Sequence, residues 1–432
     1  MKKLKYVLYC IVLLTGMVSS ITLEEVIKEN IYSNPQIRVS LANHQAIKYE
    51  QDKVNANYKP TLDILVEAGK ERTKINYSFD GSRELNEQQV SIVGHYNLFN
   101  GYKTKYEVNE KDASLEVSKN QLLKKINKIS SFMVRVYLNV LRRKQLLEIE
   151  ENNYQNHLET LDKVRIRLEA GDGYESDYRQ TKARVKLAEG NRLIAKREYL
   201  NAKINYRRFL GTLPNINRMQ TPTVFLKTDE AEVEKLVVLS KEKNLNLQIQ
   251  KSQIQLSQSL YEQEKSNTYP TLDLEVSQGW NNNVHGFEGK DNSQKVALIL
   301  NYNLYNGGAD KSAQLSALKR TEMQEGSLAD IKLGVEEEVR LALMKYDLLN
   351  SQLILSAEQL TYLLGTRELY ELEYQNSKRT IIDVLNIKQE YSYAKAQQIN
   401  AKYDQLLAYY QFKNVMNGLI DEFHLDDILE QL

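Results

Sequence analysis

The chain has 432 residues, and its 58 Lys and Arg against 57 Asp and Glu leave a formal net charge of +1. Basic and acidic side chains are interleaved, as in RRKQLLEIEE at 142–151, which marks solvated helix faces and excludes the basic footprint of a nucleic-acid binder. The one cysteine, Cys10, excludes a disulfide framework and a zinc–thiolate site.

Residues 1–20 read as a secretory signal. Lys2, Lys3 and Lys5 form a basic start, Tyr6 to Val18 an apolar centre, and Val18-Ser19-Ser20 a small-residue cleavage site. Such an apolar centre is shorter than the roughly 20 residues a helix needs to span a bilayer, so the expectation is cleavage and a mature chain starting near Ile21. Beyond it no run of 18 apolar residues occurs, and no transmembrane helix is expected.

The rest of the chain is written twice. PTLDILVEAG at 60–69 returns as PTLDLEVSQG at 270–279, and HYNLFNG at 95–101 returns as NYNLYNG at 301–307. A period near 200 residues is too long for a solenoid unit and indicates a duplicated half. The expected organisation is a first repeat over 21–218 (helix, β-hairpin, long helical hairpin), a linker over 219–229, a second repeat over 230–420 and a C-terminal tail over 421–432.

In chain order, a helix is expected over about 23–57, then two alternating β segments. A helix of nearly 70 residues follows over 102–169, uninterrupted because 61–213 contains no proline. Ile126, Met133, Val140, Leu147, Tyr154, Leu161 and Leu168 recur every seven residues there. Adding 206 to this lane reaches Val339, Tyr346, Leu353, Leu360 and Tyr374. A sustained seven-residue repeat predicts left-handed coiled-coil packing, with Arg143, Glu150 and Arg367 interrupting the companion lane. Ala170-Gly171-Asp172-Gly173 predicts a glycine helix stop and a tight turn, and a second helix runs to about Leu210.

The β segments alternate strictly. Leu62, Ile64 and Val66, then Val90, Ile92, Tyr96 and Leu98, face one way in the first copy; Leu272, Leu274 and Val276, then Val296, Leu298, Leu300, Tyr302 and Leu304, do so in the second. Strands of about ten residues with one apolar face are the signature of a transmembrane barrel wall. The nine residues Leu62, Ile64, Val66, Leu272, Leu274, Val276, Val296, Leu298 and Leu300 are therefore expected to face lipid. Four strands cannot close a barrel, and an open edge in lipid leaves backbone groups unpaired, so copies must pool their strands.

Enzyme chemistry is not expected. The histidines at 44, 95, 157, 285 and 424 have no second ligand at metal spacing. No phosphate-cradling glycine loop and no G-x-S-x-G elbow occurs. No cofactor and no metal is expected.

The duplicated hairpin-plus-helix pattern, the block YNLYNGG at 302–308 and, above all, YQNSKRTIIDVL at 374–385 resemble the TolC-like outer-membrane efflux proteins. The last stretch is similar to that family's second hairpin tip, Y-x-x-G-x-R-T-I-x-D-V-L. The resemblance implies a membrane β-barrel joined to an α-helical coiled-coil tunnel, with four strands from each of three copies forming one 12-stranded barrel. It implies an exit duct in the outer membrane of a Gram-negative type cell, its helices in the periplasm, passively conducting what an inner-membrane pump and a periplasmic adaptor deliver. It places Tyr374 and Arg379 at a closed gate, with Ser176 and Asp177 as their acceptors, and Asp383 in an acidic ring at the entrance. Asn386 stands where a second acid is expected, and Ser377 where the tip glycine is. A periplasmic coiled-coil adaptor is the competing reading; it has no use for two copies of an amphipathic hairpin.

Overall fold

The structure, a computed structural model, describes residues 20–75, 81–227 and 229–425. The expected signal, apart from Ser20, and residues 426–432 of the expected tail lie outside the described residues. In chain order the elements are α1 (Leu23–Ile31), α2 (Pro35–Asn55), a short 3-10 turn (Ala56–Tyr58), β1 (Thr61–Ile75), β2 (Gly81–Phe99), α3 (Lys103–Glu169) and α4 (Glu175–Leu210). The second copy follows with α5 (Glu230–Lys243), α6 (Leu245–Ser266), β3 (Thr271–Asn282), β4 (Lys290–Asn301), α7 (Ala309–Gln375), α8 (Ile381–Val415) and α9 (Leu419–Glu422). No helix among the described residues is long and apolar enough to cross a membrane.

The single helix expected over 23–57 is two. Pro35 opens α2, where its missing N–H costs nothing, and it disfavours helical backbone at Asn34 before it. α1 starts at a capping box: Thr22 Oγ1 accepts from the Glu25 amide at 3.2 Å, and the Thr22 amide donates to Glu25 Oε2 at 2.9 Å. The second copy breaks at the same place by other means. There Asn244 caps α6, its Oδ1 accepting from the amides of Asn246 and Leu247 at 2.9 and 3.2 Å.

The chain packs as two compact units. Described residues up to Asn34, with Asn127–Glu234 and those from Val339 onward, form one; Pro35–Ile126 and Lys235–Glu338 form the other. Each draws on both sequence copies, so the copies are interleaved in packing.

The second of these units contains one four-stranded antiparallel sheet in the order β1-β2-β3-β4. Its register decides which side chains share a face. Leu62 lies opposite Gly94, Gly94 opposite Val276, and Val276 opposite Val296; Tyr96 lies opposite Leu274 and Leu274 opposite Leu298; Leu272 lies opposite Leu300. Paired residues point the same way, so all nine expected residues sit on one face with Ile92, Val90 and Trp280. That face is bare: Leu62 is 76% exposed, Val296 75% and Leu298 66%, while Leu272 and Leu274 are half-buried. The opposite face is mostly polar. Asn97 Nδ2 donates to Asp273 Oδ1 at 2.7 Å, and Lys295 Nζ pairs with Glu275 Oε1 at 3.0 Å.

Two strand ends differ from expectation. A register shift between Asn97 and Phe99 puts Phe99, not Leu98, opposite Leu272. β4 stops at Asn301, so Tyr302 and Leu304 are not strand residues. Asn303 Oδ1 accepts from the Tyr305 amide at 3.1 Å, a local turn that competes with the ladder. In the first copy the exit turn is forced by space. Gly101 has φ +67°, and a Cβ there would lie 2.5 Å from the Ser266 carbonyl oxygen.

The other unit is helical. Met133, Val140, Val339 and Tyr346 of the seven-residue lane are buried. Further along α3 the buried positions become Ile149, Asn153, His157, Thr160 and Val164, whereas Tyr154, Leu161 and Leu168 are half-buried. The turn of 3.6 residues explains the drift: a lane of period seven slips about 20° per repeat on a straight helix. Tyr137 anchors the linker, its hydroxyl donating to the Gln220 carbonyl at 2.8 Å and accepting from the Gln220 amide at 3.1 Å. The start of the expected tail is packed: Phe423 stacks on Tyr410 at 5.9 Å, and Leu425 is buried.

Candidate functional site

The two helical hairpins of the first unit end in turns of the same design, 206 residues apart. Gly171 has φ +83° and Ser377 φ +56°. In the first turn the amides of Gly171 and Asp172 donate to the carbonyls of Leu168 and Arg167; in the second those of Ser377 and Lys378 donate to Tyr374 and Glu373. Serine therefore keeps the glycine geometry, at the cost of a left-handed backbone.

The starts of α4 and α8 are not equivalent. Thr380 caps α8: its Oγ1 accepts from the Asp383 amide at 3.3 Å and donates to Asp383 Oδ2 at 2.7 Å. These bonds from Thr380 hold the Asp383 carboxyl below its usual range. Tyr174 stands at the matching position before α4 and makes no side-chain cap. Its ring hydroxyl cannot fold back onto the first turn, so Asp177, the counterpart of Asp383, has no capping role.

Between the turns lies a small apolar cluster of Val164, Ile381, Val384 and Leu385, with Tyr178, Tyr370, Tyr374 and Ile382 against it. Two guanidinium groups cover its aromatic edge. Arg379 lies 3.7 Å from the Tyr370 ring centroid and its Nε donates to Glu373 Oε2 at 2.6 Å. Arg167 lies 4.6 Å from the centroid of Tyr374.

The sequence-derived site residues thus lie at the two tips. Within one chain, no hydrogen bond or ion pair among the described residues joins Tyr374 or Arg379 to Ser176 or Asp177. Arg379 is instead drawn onto its own hairpin by Glu373, six residues back across the turn. Ser176 is exposed and Asp177 half-exposed. Asp383 is an N-terminal capping acid in the first place. Asn386 accepts from Arg184 Nη2 at 2.7 Å, which ties α8 to α4 where a second acid was expected. Glu373, Tyr370, Arg167 and Arg184 were missed. The spacing of Glu373 to Arg379 across a helix stop was the one available signal.

The sequence profile of the family described as "Outer membrane efflux protein" matches residues 26–212 and 236–418. The chain belongs to the outer membrane efflux protein family. No curated protein sequence matches it. Among solved structures, VceC of Vibrio cholerae is similar at 14% identity and TM-score 0.78, covering 92% of this chain and 96% of that one. The CmeC outer membrane channel of Campylobacter jejuni gives 13% and 0.79, covering 92% and 85%. The MtrE outer membrane channel of Neisseria gonorrhoeae, solved in its open state, gives 15% and 0.76, covering 92% and 88%. At these identities the structures show a shared fold. Family membership supplies place and role: this efflux protein is an outer-membrane channel with a periplasmic helical tunnel, and the adaptor alternative falls away.

Proposed function

We propose that three copies of this efflux protein pool their four strands into one 12-stranded barrel. The assembly passively conducts substrates that an inner-membrane pump and a periplasmic adaptor deliver. The observation that carries this is the sheet: one continuous apolar face, and outer edges at β1 and β4 with no partner strand among the described residues. In lipid those edges require strands from other copies. Under this reading Leu62, Ile64, Val66, Leu272, Leu274, Val276, Val296, Leu298 and Leu300 contact lipid.

The tips gate the duct. Ser176 and Asp177 of one copy receive Tyr374 and Arg379 of a neighbour, and Asp383 lines the entrance. The Arg379–Glu373 pair is no obstacle, because its side chains are 32% and 42% exposed and an exposed pair contributes about 0–1 kcal/mol. Arg379 exchanges partners cheaply.

The experiment has two readouts. The chain should fractionate with the outer membrane and run as a trimer in mild detergent; a detergent-free monomer refutes the assembly. In planar bilayers, Tyr374→Phe with Arg379→Ser should raise single-channel conductance at normal trimer yield. Glu189→Gln, on the exposed face of α4, serves as control. Parental conductance in the double variant refutes the gate and leaves the duct standing.

A further inference from the structure

Beside the tips, α3, α7 and α8 enclose a half-open cavity of about 750 Å³. Its charges are unbalanced. Lys163 and Arg167 on α3, Arg367 on α7, and Lys388 and Lys395 on α8 line it, against the carboxylates of Glu159 and Glu371 alone. Glu371 is already held by Lys388 at 3.2 Å. Glu159 is left to face four cations, none of which has an ion-pair partner among the described residues.

Two of these cations are set for recognition. The Arg367 guanidinium lies 4.6 Å from the Tyr391 ring centroid, and that of Arg167 lies 4.6 Å from Tyr374. Stacking fixes the plane of a guanidinium and leaves its N–H edge to donate, in the fork geometry that suits carboxylate and phosphate. Arg367 Nε is buried without an acceptor. Arg192 is the instructive contrast. It stacks on Tyr154 at the same 4.6 Å and also has a buried, unpaired Nε, but its Nη1 donates to Glu151 at 3.3 Å and it does not line the cavity. The unpaired nitrogen alone therefore does not mark a site; the enclosed surplus of positive charge does. Ile149, Ile166 and Ile381 give the same cavity an apolar wall.

We propose that this cavity binds a small soluble polyanion, with two or more carboxylate or phosphate groups engaging Arg167 and Arg367. Because α3 belongs to the first hairpin and α7 and α8 to the second, the bound ligand ties the hairpins together. That consequence, unlike the binding, rests on the duct reading: an occupied cavity disfavours opening.

The test uses the full chain in detergent. Calorimetric titration with pyrophosphate and with citrate, each at constant ionic strength, should show one saturable site per chain. A response to only one probe identifies phosphate or carboxylate as the ligand chemistry. Arg167→Gln with Arg367→Gln should weaken binding at least about tenfold, the scale of one lost charge-assisted hydrogen bond; Arg192→Gln should leave it unchanged. Lys395→Gln, exposed to less risk of misfolding, should weaken it to a smaller degree. Unsaturable heats, or equal affinity in the Arg167/Arg367 and Arg192 variants, overturn the site. In bilayers, the better-binding probe should lower conductance of the parent and not of the double variant. Unchanged parental conductance overturns the tie. A chain that binds but forms no channel would instead indict the duct reading.

Discussion

At the scale of single residues, Ser377 holds a left-handed backbone that glycine adopts freely. Ser377→Gly should therefore stabilise the protein by about 1 kcal/mol, read as a higher unfolding midpoint. Two groups on α3, His157 buried and Glu150 half-buried, give opposite pH signatures. His157 is buried, and burial pushes its imidazole below its usual value, against a hydrogen bond with Gln389. The unfolded chain takes up a proton near pH 6.5 that the folded chain resists. Its contribution is complete above that pH and is lost as pH falls toward the depressed folded value. His157→Gln should flatten the stability profile between about pH 7 and 5. Glu150 runs the other way, since burial raises its carboxyl and one carboxylate oxygen has no partner. The folded chain holds this proton more tightly, so the ionised form costs stability at pH 7. Glu150→Gln should raise the midpoint at pH 7, with the gain shrinking toward pH 4.5. The sequence showed Glu150 only as an interruption of an apolar lane. Its burial depends on where the lane drifts, which is set by partner helices rather than by spacing.

At the scale of elements, the hairpins were legible because alternation has a period of two and no other element shares it. The nine apolar positions share one face as expected; the glycine turn at 170–173 and the ends of α3 at Glu169 and α4 at Leu210 were legible too, whereas the second tip was placed by the family resemblance. Two features were not legible. The register shift beyond Asn97 depends on pairing with β3, nearly 180 positions away, and the stop of β4 depends on a side-chain turn at Asn303. Leu274 and Asp273 test the faces directly, being neighbours on β3 that point to opposite sides. Leu274→Arg should cost about 2–4 kcal/mol near mid-bilayer and reduce trimer recovery, whereas Asp273→Arg should not. Equal losses would refute the assignment of the two faces, and a larger loss from Asp273→Arg would reverse it.

At the scale of the whole molecule, a second seven-residue lane on α7 matters. Leu341, Leu348, Leu355, Tyr362 and Leu369 recur at that spacing and are 50% to 78% exposed. On α4, Leu187, Ile194, Leu200 and Ile204 are similarly uncovered. Such rows on long helices fit partners from other copies, as the strand edges do. Replacing Leu355 with Glu should leave the single chain folded, by circular dichroism, and abolish the trimer. Sequence periodicity did not separate this lane from the buried one, because seams within and between chains carry the same seven-residue signature.

The unpaired edges of β1 and β4 also have a genetic consequence. A ring closed head to tail joins the β4 of each copy to the β1 of the next, so every member supplies both halves of a joint. One defective edge then spoils a whole ring. In a cell making normal and edge-damaged chains equally, about one three-copy ring in eight would contain only normal chains. Lesions in β1 or β4 should accordingly behave as dominant, whereas complete loss of one gene copy beside a working one should be recessive.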